Sequence, residues 1–316
     1  MKVLANDGVS QSGITALEKA GFEVITTTVA QEQLEDYINK NDIVVLLVRS
    51  ATKVRKNIID NCPSLKVIGR GGVGMDNIDV DYARNKGLHV INTPAASSHS
   101  VAELVFGHLY GLARYLHNSN RDMPLEGDSK FKNLKKAYAK GTELKGKTLG
   151  VFGFGRIGQA TAKVAIGAGM KVIAFDPFIE KTDLELEFFD GQTLNFEIKT
   201  ISKEDVLKQS DFITLHVPAQ KDYVIDDAEF KLMKDGVYLA NAARGGVVNE
   251  VALVKAIESG KVAGAALDVF EKEPTPEIQL LMNPALSLTP HTGAATNEAQ
   301  DRIGSELASQ IISILK

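Results

Sequence analysis

The chain has 316 residues, 44% hydrophobic and 24% charged, with a formal net charge of −4. This is the composition of a soluble globular protein with room for two domains of ordinary size. It argues against nucleic acid as a main partner, its longest dense apolar run (Ile43 to Val48) falls far short of a bilayer, and its single cysteine, Cys62, rules out an internal disulfide. The opening Met1-Lys-Val-Leu-Ala-Asn-Asp lacks a signal-peptide apolar core, and Cys62 has no base beside it in sequence. The expectation is a cytoplasmic protein, without a membrane partner, whose thiol is structural.

From residue 1 the pattern alternates. Lys2–Ala5 reads as a strand, Gly13–Ala20 as a helix, Phe22–Thr27 as a strand and Gln31–Asn39 as a helix. Ile43–Val48 is a strand, a helix lies around Lys56–Asn61, and Leu65–Gly69 and Leu88–Asn92 are further strands. Such alternation implies a parallel sheet with helices on both faces. At Asn92-Thr-Pro94 the rhythm changes, and Ser100-Val-Ala-Glu103 reads as a capping box opening a long helix to about Asn118. Residues 119–147 are polar and lysine-rich, either a solvated surface or a basic wall facing an anionic substrate.

Alternation then resumes, with candidate strands at Thr148–Phe152, Lys171–Phe175, Phe212–Val217, Val237–Ala240, Gly264–Leu267 and Leu286–Thr289. Residues 183–200 alternate around Asp190-Gly191 and predict a β-hairpin inserted between strand and helix. Glu298–Leu315 predicts a terminal helix returning to the first domain. The expected layout is a substrate-binding domain of residues 1–98 and 293–316, with a dinucleotide-binding domain of residues 99–292 inserted into it. Two chain crossings would then make a hinge and a ligand cleft.

The strongest local signal is Thr148-Leu-Gly-Val-Phe-Gly153-Phe-Gly155-Arg-Ile-Gly158, followed by a helical stretch, the strand Lys171–Phe175 and Asp176. Strand, G-x-G-x-x-G, helix, strand and acid within about 30 residues form a dinucleotide fingerprint. Gly153 permits the tight turn, Gly155 lets backbone approach a pyrophosphate, and Gly158 lets helix and strand pack closely. The helix N-terminus offers free N–H groups to the phosphates. Asp176 would accept hydrogen bonds from ribose hydroxyls and repel a 2′-phosphate, so the cofactor expected is NAD and not NADP.

Three residues sit just beyond strands of this second half: Arg244 in Asn241-Ala-Ala-Arg-Gly-Gly246, Glu273 in Asp268-Val-Phe-Glu-Lys-Glu273-Pro274, and His291 in Leu288-Thr-Pro-His-Thr-Gly293. Hydride transfer at a hydroxy acid needs such a set. Histidine takes the hydroxyl proton, a carboxylate steadies the imidazolium, and arginine grips the substrate carboxylate in bidentate fashion. In the first half, the backbone N–H groups of Gly71-Gly-Val-Gly74 suit a nest for that carboxylate. Arg49, Lys53 and Arg70, just past their strands, could hold a phosphate, although Lys53 reads equally well as an ordinary surface cation. His99, His108 and His117 recur at a spacing of nine, which is not metal-ligand spacing, and no metal is expected. His89 is expected to pack within its strand.

These motifs, together with Arg49-Ser-Ala-Thr-Lys-Val54, Gly69-Arg-Gly-Gly-Val-Gly-Met-Asp-Asn-Ile-Asp79, Asn92-Thr-Pro94, His216-Val-Pro218, Ala265-Ala-Leu-Asp-Val-Phe270 and Pro290-His-Thr-Gly-Ala294, resemble the D-2-hydroxyacid dehydrogenases over nearly the whole chain. Within that family the likeness is greatest to the branch acting on 3-phospho-D-glycerate. It implies two doubly wound α/β domains, a Rossmann-type NAD-binding domain inserted into a flavodoxin-like substrate-binding domain. It also implies that Arg244 binds substrate, His291 is the acid/base and Glu273 is its partner. Arg156 and Ile157 would line the pyrophosphate and Asp268 would meet the nicotinamide amide. His216, Val217, Pro218, Ala242, Ala243, Arg244, His291, Gly293, Ala294 and Val73 would be further cofactor contacts, with a structural role for the His216 side chain. Arg49, Ser50, Lys53, Arg70, Gly72, Val73, Gly74 and Asn92 would face the substrate.

The activity implied is NAD-dependent oxidation of 3-phospho-D-glycerate, with a homodimer built through the helix from Ser100 and the arm after it. Reduction of hydroxypyruvate or glyoxylate at the same site, and an NAD(H)-sensing corepressor, are the alternatives. A lactate-type pocket would place an aromatic residue around 92–99, where there is none. The end at Lys316 leaves feedback inhibition by serine through a C-terminal regulatory domain unexpected. The 183–200 insertion departs from the family pattern and leaves the adenosine side of the site less defined.

Overall fold

A computed structural model describes all residues from Met1 to Lys316. The chain forms two compact units, residues Met1–Ser100 with Ala294–Lys316, and residues Val101–Gly293. The first opens with β1 (Lys2–Ala5), α1 (Gln11–Lys19), β2 (Glu23–Ile25), α2 (Leu34–Asn41), β3 (Ile43–Val48), α3 (Lys56–Asn61), β4 (Val67–Arg70), α4 (Val80–Asn85) and β5 (His89–Asn92). Its five strands are all parallel, in the order β2-β1-β3-β4-β5, the flavodoxin-like doubly wound arrangement. The buried run Ile43–Val48 is central because both of its faces are covered, which is why it is apolar without alternation. Cys62 is buried, and burial pushes its thiol up to about 11. At pH 8 only about one thiol in a thousand is ionised, so a thiol reagent is expected to label the native protein slowly and the urea-unfolded chain at once. Rapid labelling of the native protein would contradict this burial.

Next come α5 (Ser98–Ala113), α6 (Leu116–Glu126) and α7 (Phe131–Ala137). They depart from the sequence reading. The helix begins at Ser98 rather than at a cap on Ser100, whose hydroxyl lies 2.8 Å from that of Thr296. It ends at Ala113 because the Ala113 carbonyl is taken by Thr142 N–H at 2.8 Å, and Tyr115 turns into left-handed space (φ 55°) before α6 restarts. The lysine-rich stretch carries two short helices and is mostly exposed, as a solvated surface would be.

The second unit continues with β6 (Thr148–Phe152), α8 (Arg156–Gly167), β7 (Lys171–Phe175), β8 (Lys181–Glu187), β9 (Thr193–Lys199), α9 (Lys203–Gln209), β10 (Phe212–Leu215), α10 (Asp227–Leu232), β11 (Val237–Asn241), α11 (Glu250–Glu258), β12 (Val262–Leu267), α12 (Ile278–Leu281) and β13 (Leu286–Leu288). Six parallel strands run β13-β12-β11-β10-β6-β7, with the winding reversing between β6 and β10. Ligands of such sheets gather at the carboxyl ends beside that switch point. The β8–β9 hairpin turns at Gly191 (φ 81°) and buries Leu184 and Leu186 against the sheet. Its end bridges Thr200 to Ala174 on the outer edge of β7, where a third strand of a six-stranded Rossmann sheet would stand. Finally α13 (Asn297–Leu315) packs Ile303, Leu307, Ala308 and Ile311 into the first unit. It crosses α1 so closely that a Cβ on Gly13 would lie 2.8 Å from the Gly304 carbonyl oxygen.

Candidate active site

In the second unit the fingerprint glycines adopt the conformations that their positions demand. Gly153 has φ 86°, and a Cβ there would lie 2.6 Å from the His216 carbonyl oxygen. A Cβ on Gly158 would overlap the Gly153 carbonyl, whereas one on Gly155 would meet nothing within 4 Å. Gly155 is also the N-cap of α8 and supplies no side chain to its first amides. Open space over unshielded amide donors, beginning at Arg156 and Ile157, fits a pyrophosphate. Asp176 is tied into this loop: Oδ2 accepts Phe154 N–H at 2.7 Å, and Oδ1 accepts Phe178 and Ile179 N–H at 2.9 and 3.2 Å. A carboxylate has about four lone-pair sites, so one site on Oδ2 remains for a ribose hydroxyl.

The strand β10 ends at Leu215, so His216, Val217 and Pro218 form a loop. The His216 imidazole faces inward, with Nε2 3.0 Å from Thr214 Oγ1 and 3.2 Å from Thr161 Oγ1. Burial pulls its pKa down to about 3, which keeps the ring neutral. It thereby links α8 to the end of β10.

At the end of β11, Asn241 is buried and shapes the next turn. Its Oδ1 accepts Ala243 N–H and its Nδ2 donates to the Arg244 carbonyl, both at 3.0 Å. The loop Ala242-Ala243-Arg244 is therefore built on a polar side chain in an apolar strand, and the Arg244 guanidinium donates Nη1–H to the Ala243 carbonyl at 2.6 Å. Gly245 then presses on the loop after β12, where a Cβ would overlap the Phe270 carbonyl group.

Beyond β12, Phe270 N–H donates to Glu273 Oε1 at 3.0 Å, and Glu273 Oε2 lies 2.9 Å from His291 Nδ1. A carboxylate can only accept, so Nδ1 carries a proton toward it, and Nε2, which has no partner, is the basic nitrogen. The two side chains remain 38% and 41% exposed, so the pair is reachable by a ligand. Phe270, Glu273, Thr289 and His291 help line a cavity of about 430 Å³ with mostly apolar walls. Arg244 does not line it.

His291 sits at φ 55°, an uncommon conformation for a side chain of its size. Asp268 fixes it. This buried carboxylate accepts Thr292 N–H at 2.8 Å, Gly293 N–H at 2.9 Å and the Thr289 hydroxyl at 2.6 Å. Asn241, Gly245, Thr289 and Thr292 were not legible as site residues, since each acts by holding a neighbour. A buried asparagine at a strand end was the one available signal.

The first unit gathers a second set at the carboxyl ends of β3, β4 and β5. Asp7 caps the loop after β3, accepting Arg49 N–H (2.6 Å) and Thr52 N–H (3.1 Å). The Arg49 guanidinium and the Lys53 ammonium, in that same loop with Ser50, make no hydrogen bond or ion pair. Asn92 Nδ2 donates to the Val73 carbonyl at 2.7 Å, and Gly72 N–H donates to Thr93 Oγ1 at 2.9 Å. The nest is narrower than four glycine-loop amides suggest: Gly71 N–H is taken by the Val48 carbonyl, which leaves Val73 and Gly74 N–H. The Arg70 guanidinium lies over Gly72, at φ 140°, where any Cβ would collide with it. Val73 and Ala294 belong to this unit, and His89 is exposed at the start of β5 rather than packed. No helix is long and apolar enough to cross a membrane, and no cluster of metal-ligating residues occurs.

Comparison with known proteins matches residues 106–293 to the D-isomer specific 2-hydroxyacid dehydrogenase, NAD binding domain. A hydroxypyruvate reductase of Thermotoga maritima is 44% identical over 99% of this chain and 98% of its own length. A D-3-phosphoglycerate dehydrogenase of Methanocaldococcus jannaschii is 42% identical over 100% of this chain, which spans 58% of that relative's length. The crystal structure of the TT0316 protein from Thermus thermophilus superposes with a TM-score of 0.86 at 28% identity, covering 100% of this chain and 97% of that one. With the fingerprint loop, the carboxylate–imidazole pair and the doubly wound sheets, these matches show that the chain belongs to the D-isomer specific 2-hydroxyacid dehydrogenases, as an NAD-binding oxidoreductase.

Proposed function

We propose that this chain oxidises 3-phospho-D-glycerate to 3-phosphohydroxypyruvate with NAD, the entry to serine synthesis. The observation that carries the substrate is the pair Arg49 and Lys53, two cations without carboxylate partners in one loop whose backbone Asp7 clamps. A dianionic phosphate satisfies both. In the reaction, His291 Nε2 removes the hydroxyl proton while Glu273 stabilises the imidazolium that forms. Arg244 grips the substrate carboxylate, and in the first unit the Val73 and Gly74 amides remain as donors for an anion. NAD, when bound, supplies the hydride acceptor. In the reverse direction the same Nε2–H returns the proton.

A second reading, reduction of hydroxypyruvate, is favoured by the Thermotoga relative matched over nearly its full length. A panel of 3-phosphoglycerate, phosphohydroxypyruvate, hydroxypyruvate and glyoxylate, followed by NADH absorbance, separates the two. Turnover of the phosphorylated pair is expected, and turnover of hydroxypyruvate alone would install the second reading. Arg49→Ala is expected to raise KM for the phosphorylated acid by about 10- to 100-fold, as for loss of a charge-assisted hydrogen bond, and to leave the unphosphorylated acid nearly unaffected. Equal effects on both would remove Arg49 from the phosphate.

The same reading carries a homodimer through α5 to α7, where Tyr110, Leu116, Leu125 and Phe131 are exposed apolar side chains. Light scattering at a monomer mass would contradict it.

A further inference from the structure

The chain of buried and half-buried polar groups behind His291 does not end at Asp268. His108, on α5, is 7% exposed, with Nε2 3.0 Å from Thr289 Oγ1 and Nδ1 2.8 Å from Ser287 Oγ. The proton directions in this chain are determined. The Asp268 carboxylate can only accept, so the Thr289 hydroxyl gives its one proton to Oδ1 at 2.6 Å. Thr289 Oγ1 must then accept from His108, which places the ring proton on Nε2. Nδ1 accepts from the Ser287 hydroxyl. Burial, the largest influence on this ring, pulls its pKa below the ordinary histidine value, in keeping with one neutral tautomer.

We propose that His108 is a positioning residue for the acid/base histidine, orienting Thr289 so that Asp268 holds the left-handed turn at His291. Two further features support a positional role over simple packing. The wall that α5 presents is otherwise apolar, with Val105, Leu109 and Leu112 buried beside His108, and an imidazole there is costly unless both nitrogens are used. The same Asp268 oxygen that takes the Thr289 proton also takes Thr292 N–H, the amide directly after His291. If His108 is replaced by an apolar side chain, the Thr289 hydroxyl loses its donor and its direction. The carboxylate can then turn, and the turn carrying the imidazole loosens. Misplacement of a reacting group by about 1 Å can cost 10²-fold in rate, so a relay three groups long need move His291 only slightly to matter.

This inference rests on the role proposed for His291, and its test has a readout that does not. In protein carrying 15N-labelled histidine, the ring nitrogens of His108 and His291 are followed by long-range proton–nitrogen correlation. The unmodified protein is expected to show His108 as the neutral Nε2–H tautomer at pH 8. His108→Leu is expected to shift the His291 ring resonances and lower kcat by about tenfold, with KM for substrate changed far less. His108→Gln, whose amide reproduces the donor to Thr289, is expected to recover most of kcat and the His291 resonance positions.

Unmoved His291 resonances in His108→Leu would overturn the proposal, as would equal loss of kcat in both variants accompanied by equal loss of thermal stability. The latter result would mean that His108 only fills the core. Should the unmodified protein oxidise no hydroxy acid at all, the proposed function fails, and the resonance shifts still decide whether His108 holds the turn.

Discussion

His291→Ala is expected to lower kcat by about 10²- to 10⁴-fold, the usual contribution of a positioned general acid–base group. Glu273 is anchored by Phe270 N–H and accepts from His291 Nδ1. That arrangement leaves Nε2 as the ring's only basic nitrogen, so no second group in the pair can replace it. NADH binding should stay nearly intact, because the glycine loop, α8 and Asp176 are held together by contacts that do not include His291. Fluorescence titration of NADH alongside steady-state rates separates the two effects. An unchanged kcat would take His291 out of the chemistry, and a parallel collapse of NADH affinity would mean that it serves the cofactor instead.

Gly245→Ala is expected to be nearly as damaging, although the residue touches no reactant in this account. Its α-carbon presses on the Phe270 carbonyl group, and a Cβ would overlap that oxygen and its carbon. Both sides of the contact are backbone, so neither can rotate away as a side chain would. One of two loops has to shift: the Arg244 loop, built on Asn241, or the Phe270–Glu273 loop, whose amide positions the carboxylate. A displacement of about 1 Å in either separates groups that must act together, and a loss of about 10²-fold in kcat/KM is the expected cost. A lowered melting temperature should accompany it. A Gly245→Ala protein with ordinary rates and stability would contradict the close approach.

Much of this was legible in the chain. A parallel sheet requires strands buried on both faces, and Ile43–Val48 and Thr148–Phe152 read as unbroken apolar runs for that reason. The glycines of the fingerprint were legible because each answers a separate steric demand. The hairpin at 183–200 was visible from its period of two and from Asp190-Gly191. What was hidden depends on distant partners. The end of α5 at Ala113 is decided by an amide at Thr142, and no local propensity announces that. The Ser100–Glu103 pattern has the residues of a capping box, yet the helix had already started at Ser98. The short helix Val80–Asn85 has too few turns for periodicity to reveal it. The Glu273–His291 pair was legible as residue types at strand ends, whereas the supports beneath it were not. Asp268 reads in sequence as a group for the cofactor, and in the fold its oxygens hold the turn at His291.

The proposed reaction is hydride transfer from the carbon bearing the hydroxyl, with proton removal by the imidazole that Glu273 orients. Its most direct measurement is rapid-mixing NADH absorbance with NAD and 3-phospho-D-glycerate, run with hydrogen and with deuterium at C2. NADH formation is expected to be slowed by deuterium at the chemical step and slowed by about 10²- to 10⁴-fold in His291→Ala. NADH formation that the His291 substitution leaves untouched, or no NADH from any 2-hydroxy acid, would contradict it.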